Sequence, residues 1–199
     1  MIYLLITLLI LFFTYYFHKL LSLIYGLHTI VQSKKIDYSE PVSIIVAVYN
    51  GEYSLKKKLN QLANQEYNDK IEFIIVDDMS TDNSKQIITQ FANKDNRFHY
   101  VSSIEGDLNL KYKKKALDAG IKRAKYDILL FTDVDCSIKP KWVSSMVNEF
   151  KDKNVEYVIG FSHVNNNTVN SIVSKFQQVD FFMLMIAAFA SANNKIGWA

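Results

Sequence analysis

The chain is poor in the residues that carry several common kinds of chemistry. Cysteine occurs once in 199 residues, at Cys136. A single thiol excludes a disulfide framework, a four-cysteine zinc site and a paired redox motif, and it suits a reducing compartment. The four histidines, His18, His28, His99 and His163, lie far apart and form no metal box. The six glycines build neither G-x-x-x-x-G-K-[ST] nor G-x-G-x-x-G, so phosphate-loop and dinucleotide-fingerprint readings fail. An excess of one charge is also missing: 23 Lys and Arg against 20 Asp and Glu leave a net +3. With no basic stripe interleaved with exposed aromatics, the balance argues against a nucleic-acid partner.

What is present is unevenly distributed. Residues 1–31 draw 23 of 31 positions from the hydrophobic set and contain one formal charge, Lys19. The remaining 168 residues hold every other charged side chain and have the composition of an ordinary soluble domain. This excludes a fully soluble protein and a polytopic one within these residues. It leaves one apolar segment and one domain large enough for a core. Residues 2–23 supply the ~20 helical residues that a bilayer core needs, with Lys19 snorkelling. No basic n-region and no small-x-small cleavage site mark a signal peptide. Lys19, Lys34 and Lys35 all follow the apolar run, so the positive-inside bias predicts a cytoplasmic domain. The expected organisation is therefore an anchor over residues 1–31, a linker over 32–41 and a domain over 42–199.

Beyond the linker, β-branched runs alternate with helical spacing. Strands are expected at residues 42–49, 71–76, 98–101, 126–132 and 157–161. Leu55, Leu59 and Leu62 mark one helix, and Ile87, Ile88 and Phe91 a second, which residues 80–82 can cap. A third spans 113–125 with Ala116, Gly120, Ile121 and Ala124 inward, and a fourth follows Pro140 with Trp142, Val143, Met146, Val147 and Phe150. Continuous apolar strands alternating with amphipathic helices imply an α/β fold, a mostly parallel sheet covered on both faces. Ligands of such sheets bind off the C-terminal strand ends. Three polar clusters fall there: Tyr49 with Asn50, Asp77 with Asp78, and Asp133 with Asp135.

Each cluster admits two readings. Asp133 and Asp135, if the strand stays extended, share one side of the chain; their hard oxygens suit Mg²⁺ or Mn²⁺ holding a diphosphate, or they are loop carboxylates capping the next helix. Asp77 and Asp78 form a turn and cap, or accept hydrogen bonds from a nucleoside base or ribose. Lys111, Lys113, Lys114 and Lys115 crowd a helix start, where the macrodipole disfavours cations; they form a solvated face, or one of them meets phosphate. Cys136 reads as a buried thiol.

VSIIVAVYNGE (42–52), IEFIIVDDMSTDNS (71–84) and KKKALDAGIKRAKYDILLFTDVDC (113–136) resemble, in order and spacing, the three N-terminal motifs of family-2 inverting glycosyltransferases. The resemblance spans roughly residues 40–160. It implies the GT-A fold, Rossmann-like, and transfer of a sugar from a uridine or guanosine diphosphate donor to a glycan or lipid-linked acceptor. Carried over by position, Ala47 and Tyr49 would border the base, with Glu52 near the nucleotide. Asp78 would accept from the base with Asp77 supporting it, Lys113 would sit near the nucleotide, and Asp133 and Asp135 would match the D-x-D that ligates a divalent cation, Mg or Mn. Asp118 stands where many members have Asn.

The family's general base is an acid well beyond the D-x-D. After Asp135 the only acids are Glu149, Asp152, Glu156 and Asp180, none in a matching context, so the base is expected beyond Ala199 and the chain reads as the donor half of a longer enzyme. Residues 171–190 end in an apolar run expected to form a core or interfacial helix rather than to cross a bilayer. Two rivals stand beside the transferase: a membrane-tethered nucleotide-sugar-binding module, and a nucleotidyltransferase-like enzyme, whose glycine-rich basic first loop is not seen at Asn50, Gly51 and Glu52.

Overall fold

β-branched and aromatic side chains pack well on a pleated surface, and four such runs form the sheet. The structure, a computed structural model, describes residues 2–28, 38–160, 162 and 171–193. They fall into two compact units, Ile36–Val158 on one hand and Met1–Lys35 with Ile159–Ala199 on the other.

In the first unit the strands are β1 (Val42–Val48), β2 (Ile71–Asp77), β3 (Phe98–Ser102) and β4 (Ile128–Phe131). Their order is β3-β2-β1-β4, and every neighbouring pair is parallel. Parallel neighbours require crossover connections, which α2 (Glu52–Ala63), α3 (Ser84–Lys94) and α4 (Lys113–Arg123) supply. A short α5 (Trp142–Val147) follows β4.

Alternation along β1 and β2 divides the core. Val42, Ile44, Val46 and Val48 face Leu55, Leu59 and Leu62 of α2, Ile87 and Ile88 of α3, and Val143 and Val147 of α5. Ile45, Ile74 and Val76 face the other way, onto Ala116 and Ala119 of α4. Both faces of β1 and β2 are thus dry, and each buried branched side chain contributes about 1.5–3 kcal/mol. α4 lies close to the sheet because its inner face is small. A Cβ on Gly120 would sit 2.5 Å from Ile45 Cγ2. Ile121, expected inward, is instead exposed, because Ala116, Ala119 and Gly120 complete the inner face.

The fifth expected strand does not form. Residues 155–160 are irregular, Tyr157 and Ile159 are exposed, and Phe161 lies outside the described residues. Apolar composition alone does not make a strand: without a ladder partner its backbone groups gain nothing from extension.

The second unit contains α1 (Ile2–His28) and α6 (Ile172–Asn193), which lie against each other. Both are long and apolar enough to cross a membrane, over Ile2–Ser22 and Ile172–Ala190. The length of α6 corrects the expectation of a segment too short to span: its helix begins well before the uncharged run and includes Lys175 and Asp180. In α1 the two threonine hydroxyls of the uncharged stretch are satisfied within the helix, Thr7 Oγ1 donating to Tyr3 O (2.9 Å) and Thr14 Oγ1 to Ile10 O (2.7 Å). Such internal bonds are what a helix in hydrocarbon requires. Lys34 and Lys35, on which the expected orientation partly rests, lie outside the described residues.

Candidate functional site

The register of the sheet brings the polar strand ends together. Val48 of β1 is level with Asp77 of β2, and β4 stops early, with Phe131 level with Ile45. The chain after β4 therefore runs beside the last residues of β1, and Thr132 N still donates to Ile45 O (3.4 Å). A cleft of about 410 Å³ opens at this edge, lined by Ala47, Tyr49, Asn50, Asp78, Lys113, Asp133 and Asp135 among others. Six of the eight residues singled out from the sequence are in this wall. Tyr49 is 65% exposed, so its ring is available to a planar ligand.

The backbone turns sharply where it leaves the cleft. Asn50, Met79 and Tyr112 have φ of 49°, 58° and 54°, the left-handed region that non-glycine residues enter at a cost. Each adjoins a lining residue: Asn50 follows Tyr49, Met79 follows Asp78, and Tyr112 precedes Lys113. Asn50 is held in place by its neighbours, its N–H donating to Ser80 Oγ (3.0 Å) and its Oδ1 accepting from Thr81 N (2.8 Å). Gly51 is needed for a close approach, since a Cβ there would meet Val48 Cγ1 at 2.8 Å, and its N–H donates to buried Ser84 Oγ (2.9 Å).

Glu52 and Asp77 are not in the wall. The Glu52 carboxylate accepts from Asn83 N (3.2 Å) and Asn83 Nδ2 (2.8 Å), while Asp82 Oδ2 accepts from Glu52 N (3.0 Å). The starts of α2 and α3 thus cap each other reciprocally. This modifies the expected role of residues 80–82, whose side chains reach the other loop as well as their own helix. Asp82 does both, since its Oδ1 accepts from Ser84 N (3.0 Å). Asp77 is buried and accepts from Ser80 N (3.2 Å), which shapes the turn that presents Asp78.

Asp133 and Asp135 do not share a side through extended backbone, as the sequence suggested. The chain turns instead, with Cys136 N donating to Asp133 O (3.3 Å), and neither carboxylate caps α5. The turn gathers Asp133, Asp135 and Cys136 so that one ligand atom from each lies within 4.8 Å of the others. Cys136 is exposed, contrary to expectation, because Val134 takes the inward position against the core. Two hard carboxylates at this separation fit a divalent cation of the Mg²⁺ or Mn²⁺ type. Lys113 forms an ion pair with Asp133, both side chains being about half exposed. Of the four lysines crowding this helix start, one of which was expected to meet phosphate, Lys113 is the one in the cleft wall. Asp118, on the same helix, accepts from Asp107 N (2.7 Å) and Lys122 Nζ (2.8 Å), which ties down the loop before α4.

One participant went unnoticed in the sequence. Lys58 is 1% exposed, and its Nζ donates to Thr132 Oγ1 (3.0 Å), next to Asp133. Burial pushes its ammonium down to about 8, opposed by Cys136, Asp135 and Asp133 on the turn above it. Three consecutive lysines, 56–58, look like a solvated face. The available signal was spacing: 58 falls with 55, 59 and 62 on the apolar stripe of α2.

Known proteins resemble this chain in sequence and in fold. The family model for glycosyl transferase family 2 matches residues 43–195. The chain is similar to the poly-beta-1,6-N-acetyl-D-glucosamine synthase of Staphylococcus epidermidis, 31% identical over 144 residues, which are 71% of this chain and 33% of that protein. It is also similar to glycosyltransferase AglE of Haloferax volcanii, 32% identical over 131 residues, 64% of this chain and 42% of that one. The chain thus spans about a third of the length of the first of these relatives and less than half of the second. Among solved structures, it resembles the mannosyltransferase PcManGT from Pyrobaculum calidifontis in complex with GDP-Man and Mn²⁺, with a TM-score of 0.58 and 22% identity over 71% of this chain and 42% of that one. That likeness concerns the fold. Residues 1–349 of TarS from S. aureus, in complex with UDP, match with a TM-score of 0.50 and 26% identity over 66% of this chain and 38% of that one.

Proposed function

The chain belongs to glycosyl transferase family 2, and from that premise we propose that it forms the donor-binding part of an enzyme that transfers a sugar from a nucleoside-diphosphate sugar to an acceptor hydroxyl, with inversion. What supports the reading is the convergence of Ala47, Tyr49, Asp78, Lys113, Asp133 and Asp135 on one cleft at the C-terminal edge of a parallel sheet. In this reading Tyr49 and Ala47 border the base, and Asp78 accepts a hydrogen bond from it. Asp77 and Glu52 support the site by shaping its loops.

Asp133 and Asp135 would hold the divalent cation, whose charge would stabilise the departing diphosphate. Lys113 would leave Asp133 for the diphosphate when the donor arrives, since a phosphate is the stronger partner for an ammonium. The donor would be a UDP- or GDP-sugar and the acceptor a glycan or lipid-linked hydroxyl. Inversion requires a base on the face of the sugar opposite the diphosphate; no residue of the cleft is assigned to that task.

Residues 1–31 are proposed as the membrane anchor, residues 32–41 as the linker, and the cytoplasmic membrane face as the place of transfer. The composition of α1 supports this, because its Ile2–Ser22 stretch is long and apolar enough to cross a membrane and carries one charged side chain, Lys19.

The site assignment is tested by Asp135→Asn. Titration calorimetry of the variant with UDP or GDP in the presence of Mn²⁺ is expected to show affinity reduced roughly tenfold or more, by analogy with lost metal ligation. Unchanged affinity would remove the metal assignment.

A further inference from the structure

Lysine is almost never fully buried unless paired. Lys58 is buried, yet among the described residues it forms no ion pair within 4.0 Å. Its one direct polar partner there is the Thr132 hydroxyl, which is neutral. The charge is balanced at longer range by the turn above it. Lys58, Asp135 and Cys136 share the wall of a second hollow of about 260 Å³, which adjoins the donor cleft through Tyr53, Ser54, Val134 and Asp135.

A buried positive charge behind a carboxylate pair has two opposite effects. It repels a divalent cation that arrives alone, and it attracts the diphosphate that arrives with the cation. Lys58 is 1% exposed, so its charge is screened less than that of a surface lysine.

We propose that Lys58 is a positioning residue that couples cation binding to nucleotide binding: its buried charge keeps Asp133 and Asp135 from taking up a bare divalent cation, so that the cation binds together with the diphosphate. The proposal rests on the assignment of Asp133 and Asp135 as the cation's ligands. It does not require Lys58 to touch donor, cation or acceptor.

Mn²⁺ binding to the full chain in detergent, followed by the electron paramagnetic resonance signal of free Mn²⁺ at pH 7, tests it. Wild type is expected to bind Mn²⁺ alone weakly and to bind it much more tightly with UDP or GDP present. Lys58→Met is expected to bind Mn²⁺ alone roughly tenfold more tightly than wild type, the size of one interior charge interaction at a high effective dielectric. Thr132→Val, which removes the hydrogen bond and keeps the charge, is expected to bind Mn²⁺ alone as wild type does.

If Lys58→Met binds bare Mn²⁺ no more tightly than wild type, or if Thr132→Val reproduces its effect, the electrostatic role is overturned and Lys58 is a structural anchor only. Should Lys58→Met fail to fold, the wild-type arm still decides: equal Mn²⁺ affinity with and without nucleotide overturns the coupling. No Mn²⁺ binding to wild type under any condition overturns the metal assignment itself, a different result from either of these.

Discussion

Lys58 shows how one residue can be costly to the fold and useful to the site. Its ammonium is held near 8 chiefly by burial, below the ordinary value of 10.5. Between these two values the unfolded chain binds more protons than the folded one, so this group makes stability rise with pH from about 8 to about 10.5. Below about 8 the penalty is fully present, and it amounts to at most about 3 kcal/mol. Lys58→Met is therefore expected to resist urea better than wild type at pH 7, with the advantage shrinking as pH rises toward 10. Urea midpoints at pH 7 and at about pH 10 check this; an advantage that does not change with pH would show that the charge carries no penalty. The residue was legible by its place in the Leu55, Leu59, Leu62 stripe, but its partner was not. Nothing in a helix's own periodicity says that Thr132, 74 positions later, lies beneath it. Cys136 makes the same point in reverse, because an apolar-looking neighbour of a buried strand turns outward once Val134 takes the inward place.

Among the elements, the paired starts of α2 and α3 determine the shape of the cleft. Each helix uses a carboxylate from the other's loop, Glu52 reaching Asn83 and Asp82 reaching Glu52 N, and so neither start depends on its own cap residue. Asp82 is held below the ordinary carboxylate range, first by the Ser84 hydroxyl and then by backbone N–H groups of Glu52 and Ser84. Its stabilising contribution is present above the unfolded value and is lost as pH falls through the lower folded one. Asp82→Ala and Glu52→Ala are each expected to lower the urea midpoint at pH 7. The double variant is expected to lose less than the sum, because the two contacts share one loop pair. The difference between wild type and Asp82→Ala is expected to narrow as pH falls below about 4. Additive losses would show that the two caps are independent. Sequence periodicity predicted both helices, yet their mutual capping joins positions about 30 apart and depends on β1 and β2 being neighbours. The absent fifth strand has the same origin, since pairing is a property of two segments and the apolar run at 157–160 has no ladder partner among the described residues.

For the whole molecule, the uneven distribution of charge matters more than its small net value. An apolar α1 without a charged residue before Lys19 precedes, in sequence, an α/β unit of ordinary composition. The intact chain is expected to stay in the membrane pellet after alkaline carbonate washing, and a chain lacking residues 1–31 is expected to lose that behaviour if α1 is the main anchor. Release of the intact chain by carbonate would count against the anchor. Retention of the shortened chain would point to α6, whose Ile172–Ala190 stretch is also long and apolar enough to cross a bilayer.

Local sequence determined the kind and place of most elements, because burial on both faces of a strand and on one stripe of a helix leaves a period that can be read. It also determined that Tyr49, Asp78, Asp133 and Asp135 would meet, because parallel strands send their polar ends to one edge, while Lys113 was singled out only by the family resemblance. Tertiary structure alone decided how they meet. The order β3-β2-β1-β4 brings the first two loops into reciprocal capping, the early end of β4 lets a turn rather than an extended strand gather Asp133 and Asp135, and the packing of α2 sets a buried ammonium beneath them. The physical reason is common to all three: periodicity encodes how deeply a residue is buried, whereas charge and hydrogen bonding depend on which distant segment is buried beside it.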